Sequence, residues 1–152
     1  MRTFDKLIEN KLISTNPQTL KSIIDGEIEI GVPIPSDYCY LLLNSDGYKN
    51  NGGWHISIDG NSPIVEIDNL VSLEWLVKER GYDLNDEDAE IYRSKFLKIA
   101  SCLNQDRILM GFAEDVLNQI YWYDFDDERL VKISDSIFDF ISINLIKYEE
   151  SQ

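Results

Sequence analysis

The sequence predicts an α+β fold: a single domain spanning residues 1–152, with a largely antiparallel mixed sheet and helices packed on one side of it. Three observations carry this expectation. Apolar residues recur at helical spacing in the first half of the chain, as in Leu20, Ile23, Ile24 and Ile28. Four β-rich segments then follow one another between Phe96 and Ile133, joined by polar turns too short for crossover helices. A chain of 152 residues buries roughly 68–70% of its unfolded surface, enough for a core of its own.

Taken in order, residues 2–13 read as a first helix with Phe4, Leu7, Ile8 and Leu12 on one face. Asn16-Pro17 is a cap followed by proline at the first helical position, and the helix it opens ends at Gly31. Pro33 and Pro35 impose an extended approach to a third helix, Ser36–Asp46, with Ser36 or Asp37 available to cap it. Asn44-Ser45-Asp46-Gly47 stops that helix. Residues 48–53 are turn-rich. Trp54, Ile56 and Ile58 alternate with polar neighbours as in a strand, and Pro63 to Ile67 forms a second strand. Asp68 or Asn69 caps a fourth helix closed by Gly81, with Leu73, Leu76 and Val77 on its apolar side. Residues 82–92 carry five acids and one exposed loop or short turn accommodates them. The strands Phe96–Leu103, Arg107–Ala113, Gln119–Phe125 and Leu130–Ile133 follow. A last helix runs from about Ser134 to about Tyr148, with Ser136 and Asp139 spaced as a capping box.

The charge is lopsided: 28 acidic against 14 basic side chains, a net of −14. Such a surface repels nucleic acid and anionic membranes and favours basic partners, which it can steer to fast encounter. No apolar run approaches a membrane span, and the N-terminus lacks the apolar core of a signal peptide, so a cytoplasmic location is expected. Cys39 and Cys102 are far apart in apolar surroundings and read as reduced core thiols.

Catalytic chemistry finds little support. His55 is the sole histidine, on a strand, with no nucleophile and orienting acid at a recognisable spacing. The cysteines and this histidine show no zinc-ligand spacing. Asp83, Asn85 and Glu87 start like a calcium loop, but Asp88 stands where glycine is required and Ser94 where a bidentate glutamate is required. No glycine-rich phosphate loop occurs. No catalytic residues, metal or cofactor are assigned. Along Gln119–Phe125, Ile120, Trp122 and Asp124 share one strand face and Tyr121, Tyr123 and Phe125 the other. The second set fits either packing under a loop or an aromatic contact patch flanked by acids.

Residues 30–47 resemble the signature of the SUKH superfamily, a glycine–proline element, an acidic–aromatic pair opening a helix, and an asparagine–glycine stop. Gly31, Ile34, Pro35, Asp37, Tyr38, Asn44 and Gly47 carry the likeness, with Ile34 in place of the usual leucine. Further pieces follow in order: Asn69–Leu73, Phe96–Ala100, Asp106–Ile108, Gln119–Asp124 and Ser136–Ile141, with Gln105 where glycine is typical. The resemblance covers about residues 15–147. It implies an α+β scaffold and a non-enzymatic role. In bacteria that role is an immunity protein, binding and neutralising a cognate polymorphic toxin domain, often a nuclease. The alternative, similar to the yeast cell-wall-synthesis regulators, is a regulatory scaffold that binds an endogenous partner.

The family's contact surface varies, so contact residues are sought in the charge and aromatic pattern. Asp83, Asp86, Glu87 and Asp88 form one acidic group, and Asp124, Asp126, Asp127 and Glu128 another, with Trp54 and Tyr123 as apolar anchors. The expected partner is a basic toxin domain, not nucleic acid or membrane.

Overall fold

The computed structural model describes residues 12–14, 16–50, 53–60 and 62–147. Most of the first helix expected from the sequence lies outside them. Its last positions, Leu12 and Ile13, belong instead to strand β1, Leu12–Ser14, paired antiparallel with β2, Tyr48–Asn50. The glycine- and asparagine-rich stretch after Gly47 was expected to be a loop, yet its first three residues are drawn into this ladder. A bridge between Tyr48 and Leu70 holds β2 from its other side, so tertiary pairing overrides local composition.

Helix α1, Leu20–Ile30, is capped by Thr19, whose hydroxyl accepts from the Ser22 amide at 3.1 Å. Asn16 and Gln18 are used elsewhere: their backbone bonds Asp46 and Leu42, stitching the segment to the end of the next helix. Gly31 closes α1 in the left-handed conformation, as expected. Helix α2, Ser36–Asn44, starts after Pro35. Neither Ser36 nor Asp37 caps it. Asn118, on the loop between two later strands, supplies the polar contacts: its carbonyl accepts from the Asp37 amide at 3.3 Å and its amide reaches the Ser36 hydroxyl.

The chain then passes through Gly47, at φ 88°, against the approach to helix α3, Leu73–Asp83. A Cβ at Gly47 would stand 2.9 Å from the Ser72 nitrogen, so both the turn and the close approach require glycine. The Asp46 carboxylate accepts from the Leu73 amide at 2.8 Å, and Ser72, rather than Asp68 or Asn69, caps α3. Gly81 does not adopt a positive φ, and the helix runs past it.

Strand β3, Trp54–Ile56, sits between β4, Val65–Glu66, and β9, Leu145–Lys147, in an antiparallel sheet. β9 replaces the second half of the expected last helix. Helix α4 is a single turn, Ile137–Asp139, with the Ser136 hydroxyl accepting from the Asp139 amide as the sequence suggested. A π-helical turn, Phe140–Asn144, follows it. There Asn144 donates its side-chain amide to the carbonyls of Ser57 and Ile58 while its own carbonyl accepts from Ser57. This clamp satisfies backbone groups that another helical turn would leave unpaired, and launches the ladder with β3.

The main sheet is a four-stranded antiparallel meander of β5 (Phe96–Ser101), β6 (Arg107–Gly111), β7 (Ile120–Asp124) and β8 (Arg129–Ser134). Its alternation separates two clusters. Leu97, Ile108, Met110, Ile120 and Trp122 face the helices, packing with Ile23 and Ile30 of α1, Leu41 and Leu42 of α2 and Leu76 of α3. Phe96, Leu109 and Tyr123 face the opposite way and are covered by Ala89 and Tyr92 from the segment after α3, and by Val116. The protein is thus α+β with helices on one side of its main sheet. On the other side a loop completes the core.

Candidate functional site

The acidic segment after α3 is held down by a chain of polar contacts. The Tyr92 hydroxyl donates to Asp83 Oδ1 at 2.9 Å and receives a hydrogen bond from Arg107 Nη1 at 2.6 Å. Arg107 also pairs with Asp86 at 3.3 Å and lies over the rings of Tyr92 and Tyr123. Arg93 reaches back from the far end of the segment to the carbonyls of Asp83, Leu84 and Asp86. From α3, Arg80 donates to the Arg93 carbonyl and stacks on Phe112. One short 3₁₀ turn, Glu87–Ala89, is capped by the Asp86 carboxylate and turns Ala89 into the core while Glu87 and Asp88 face solvent.

This latch changes the roles of three residues expected at a contact surface. Asp83 is 3% exposed, and the expectation of a wholly exposed loop fails there and at Tyr92. Burial raises the Asp83 carboxyl above the ordinary carboxylate range, with the Tyr92 hydrogen bond opposing it. Its second oxygen makes no hydrogen bond. Tyr123 is 1% exposed, packed at 5.5 Å on Tyr92 and edge-on to Phe125. Its phenol is pushed up by burial first and by the carboxylate of Asp88 next. Asp124 is buried too, accepting from Arg129 Nε at 2.9 Å while Arg129 covers the Trp122 ring. Of the two roles open to the aromatic set, packing under a loop is the one observed.

Three of the remaining acids, Glu87, Asp88 and Glu128, do share a surface. The β7–β8 hairpin carries Asp126, Asp127 and Glu128 in its exposed turn, with Glu128 in the left-handed conformation at φ 50°. Glu128 meets Glu87, Asp88, Glu90 and Ile91 around an open concavity of about 400 Å³, floored by Tyr123. Asp127 is drawn to Arg129 at 3.8 Å, and Glu90 to Arg93 at 3.8 Å. Among the described residues, Glu87, Asp88, Asp126 and Glu128 have no lysine or arginine partner. Two acidic runs about 35 residues apart in sequence therefore form one electronegative end. Glu90 and Ile91 were missed as contact candidates. Their only sequence signal was the helical spacing that sends Ala89 inward and its neighbours outward.

Trp54 belongs elsewhere. It lies half-buried on β3, in the smaller sheet, packed against the main core. His55 beside it has Nδ1 2.9 Å from the Gly53 carbonyl, to which it donates. Both cysteines are free thiols, and burial with the nearby Glu27 pushes Cys39 up to about 11. No group of three or more His, Cys, Asp or Glu side chains suited to a metal ion occurs among the described residues. No helix among them is long and apolar enough to cross a membrane.

The signature residues prove to be architectural. Tyr38 is fully buried and donates to the Val71 carbonyl, and just past the signature Tyr48 donates to the Leu41 carbonyl at 3.0 Å. Asp106 plays the same part in the hairpins, its buried carboxylate accepting from Trp122 Nε1 at 2.8 Å and the Phe125 amide at 3.0 Å. A family model described as the SMI1 / KNR4 family (SUKH-1) matches residues 17–143. A search among curated proteins finds no match.

Proposed function

The chain belongs to the SMI1 / KNR4 (SUKH-1) family, and from that premise we propose that it is an immunity protein that binds a cognate toxin domain and blocks it without catalysis. The family accommodates immunity and regulatory proteins alike. One observation favours the first role here: Glu87, Asp88 and Glu128 converge, unneutralised, at one end of a chain of net charge −14. A nuclease domain must attract phosphate and so presents a basic surface. An acidic end imitates that phosphate and associates fast by long-range steering. Within the expected contact set, the reading now rests on Asp86, Glu87, Asp88, Asp126, Asp127 and Glu128. Asp83, Tyr123 and Asp124 act beneath them as support, and Trp54 lies outside the patch.

The test is co-expression with the C-terminal domain of a large protein encoded directly upstream. The wild-type chain should protect the cell, and the folded triple variant Glu87→Lys, Asp88→Lys, Glu128→Lys should not. If such a neighbour is missing and no toxin domain is neutralised, the regulatory reading, an endogenous protein partner, takes its place.

A further inference from the structure

A second surface lies on the other side of the main sheet. Helix α1 buries Ile23, Gly26 and Ile30 but turns Leu20, Ile24 and Ile28 outward, at 62%, 49% and 75% exposure. These three are spaced i, i+4, i+8 and form one apolar ridge along the whole helix. A surface helix ordinarily turns charged residues to water. Half-buried Val32 and exposed Pro33 extend the ridge beyond Gly31, and with Ile24, Glu27 and Ile28 they bound a shallow hollow of about 360 Å³. Glu27 borders the ridge on one side and the Lys21–Asp25 pair on the other, while Glu29 turns toward the groove between α1 and α3. Lys21 neutralises Asp25 at 3.4 Å, whereas Glu27 has no basic partner among the described residues.

We propose that this α1 ridge is a docking site for a basic amphipathic helix of another protein, with apolar side chains on Leu20, Ile24 and Ile28 and a lysine or arginine on Glu27. The charge selects this occupant. A second copy of the chain would bring the same acids, and a net of −14 on each copy, against one another. A basic helix instead gains from both features, the apolar ridge contact and the Glu27 carboxylate backed by the chain's net negative charge. Because α1 and the acidic end lie on opposite sides of the main sheet, both surfaces can be occupied at once.

The test titrates the full chain into a fluorescein-labelled peptide with leucines at i, i+3, i+4 and i+7 and lysines at its other positions. Saturable binding is expected. Ile24→Glu with Ile28→Glu should weaken it by about tenfold or more, and Glu27→Gln should weaken it and flatten its salt dependence. Glu87→Lys with Asp88→Lys at the acidic end should weaken it far less than Ile24→Glu with Ile28→Glu does, which separates this site from the toxin-binding reading. Binding insensitive to Ile24→Glu/Ile28→Glu, or equal affinity for a peptide with glutamates in place of the lysines, would overturn the proposal. So would sedimentation of the wild type as a dimer that Ile28→Glu dissolves, which assigns the ridge to a second copy. A large drop in melting temperature for Ile28→Glu would overturn it as well, by showing that the chain covers the ridge itself.

Discussion

Asp83 shows how one side chain can move from surface to core without any change in local sequence character. It sits among four other acids, and composition alone marks it as solvated. What buries it is Tyr92, nine residues on, whose hydroxyl it accepts, and Arg107 behind that hydroxyl. Burial raises its folded pKa, so the fold favours its protonated form. Its contribution to stability is therefore fully present below the unfolded value and lost as pH rises through the higher folded value. Asp83→Asn removes that titration. Chemical denaturation should show the variant gaining on the wild type as pH goes from about 3 to about 7. A constant difference across that range would show that Asp83 ionises in the fold as it does unfolded.

Gly47 is the opposite case, a residue whose role the sequence did reveal. The asparagine–glycine stop marks a left-handed position, and the structure adds a second demand, the Ser72 nitrogen at 2.9 Å from any Cβ. Gly47→Ala should cost about 2 kcal/mol or more, combining the left-handed penalty with a backbone clash. That corresponds to a fall in melting temperature of about 4–8 °C for a chain this size. An unchanged melting temperature would mean that the corner between α2 and β2 relaxes freely. Asn118 lies beyond sequence reasoning altogether, since it contacts the start of α2 across 81 positions of chain.

Among the elements, the strands of the main sheet were the most legible. Alternation in Ile108–Met110 and Ile120–Tyr123 needs only a period of two, and the faces came out as that period requires. Ends set by distant partners were not legible. The last helix gives way after Asn144 because β3 offers a ladder, and β2 exists because β1 and Leu70 flank it. The acidic loop combines both situations. Its charges were plain, but its fixed shape depends on the Asp83–Tyr92–Arg107–Asp86 chain. Tyr92→Phe should leave buried Asp83 and half-buried Arg107 each short of a hydrogen bond, costing about 1–3 kcal/mol. Hydrogen exchange should quicken first in residues 86–93, ahead of the β5–β8 ladders. Uniform protection in the variant would show that aromatic packing alone fixes the loop.

At the scale of the whole molecule, the main sheet divides the labour. Helices on one side build the core and expose the α1 ridge, while the loop on the other side builds the acidic end. The family signature lies in the first half of this arrangement and serves the scaffold, through Tyr38, Gly47 and the turn between them. The surface proposed to meet a toxin lies in segments where only charge was readable. Sequence separated its two halves, and the antiparallel meander brings them together. On the proposed reading, steering by that end makes association the sensitive step.

The direct test is the association rate of the chain with the toxin domain proposed as its partner, measured by stopped-flow over a range of ionic strength. Wild type should associate at about 10⁷ M⁻¹ s⁻¹ or faster at low salt and slow steeply as salt is added. Glu87→Lys with Asp88→Lys and Glu128→Lys should lower that rate by about ten- to a hundredfold and flatten its salt dependence, with the melting temperature retained. An association rate and salt dependence equal to those of the wild type would contradict the acidic end as the docking surface.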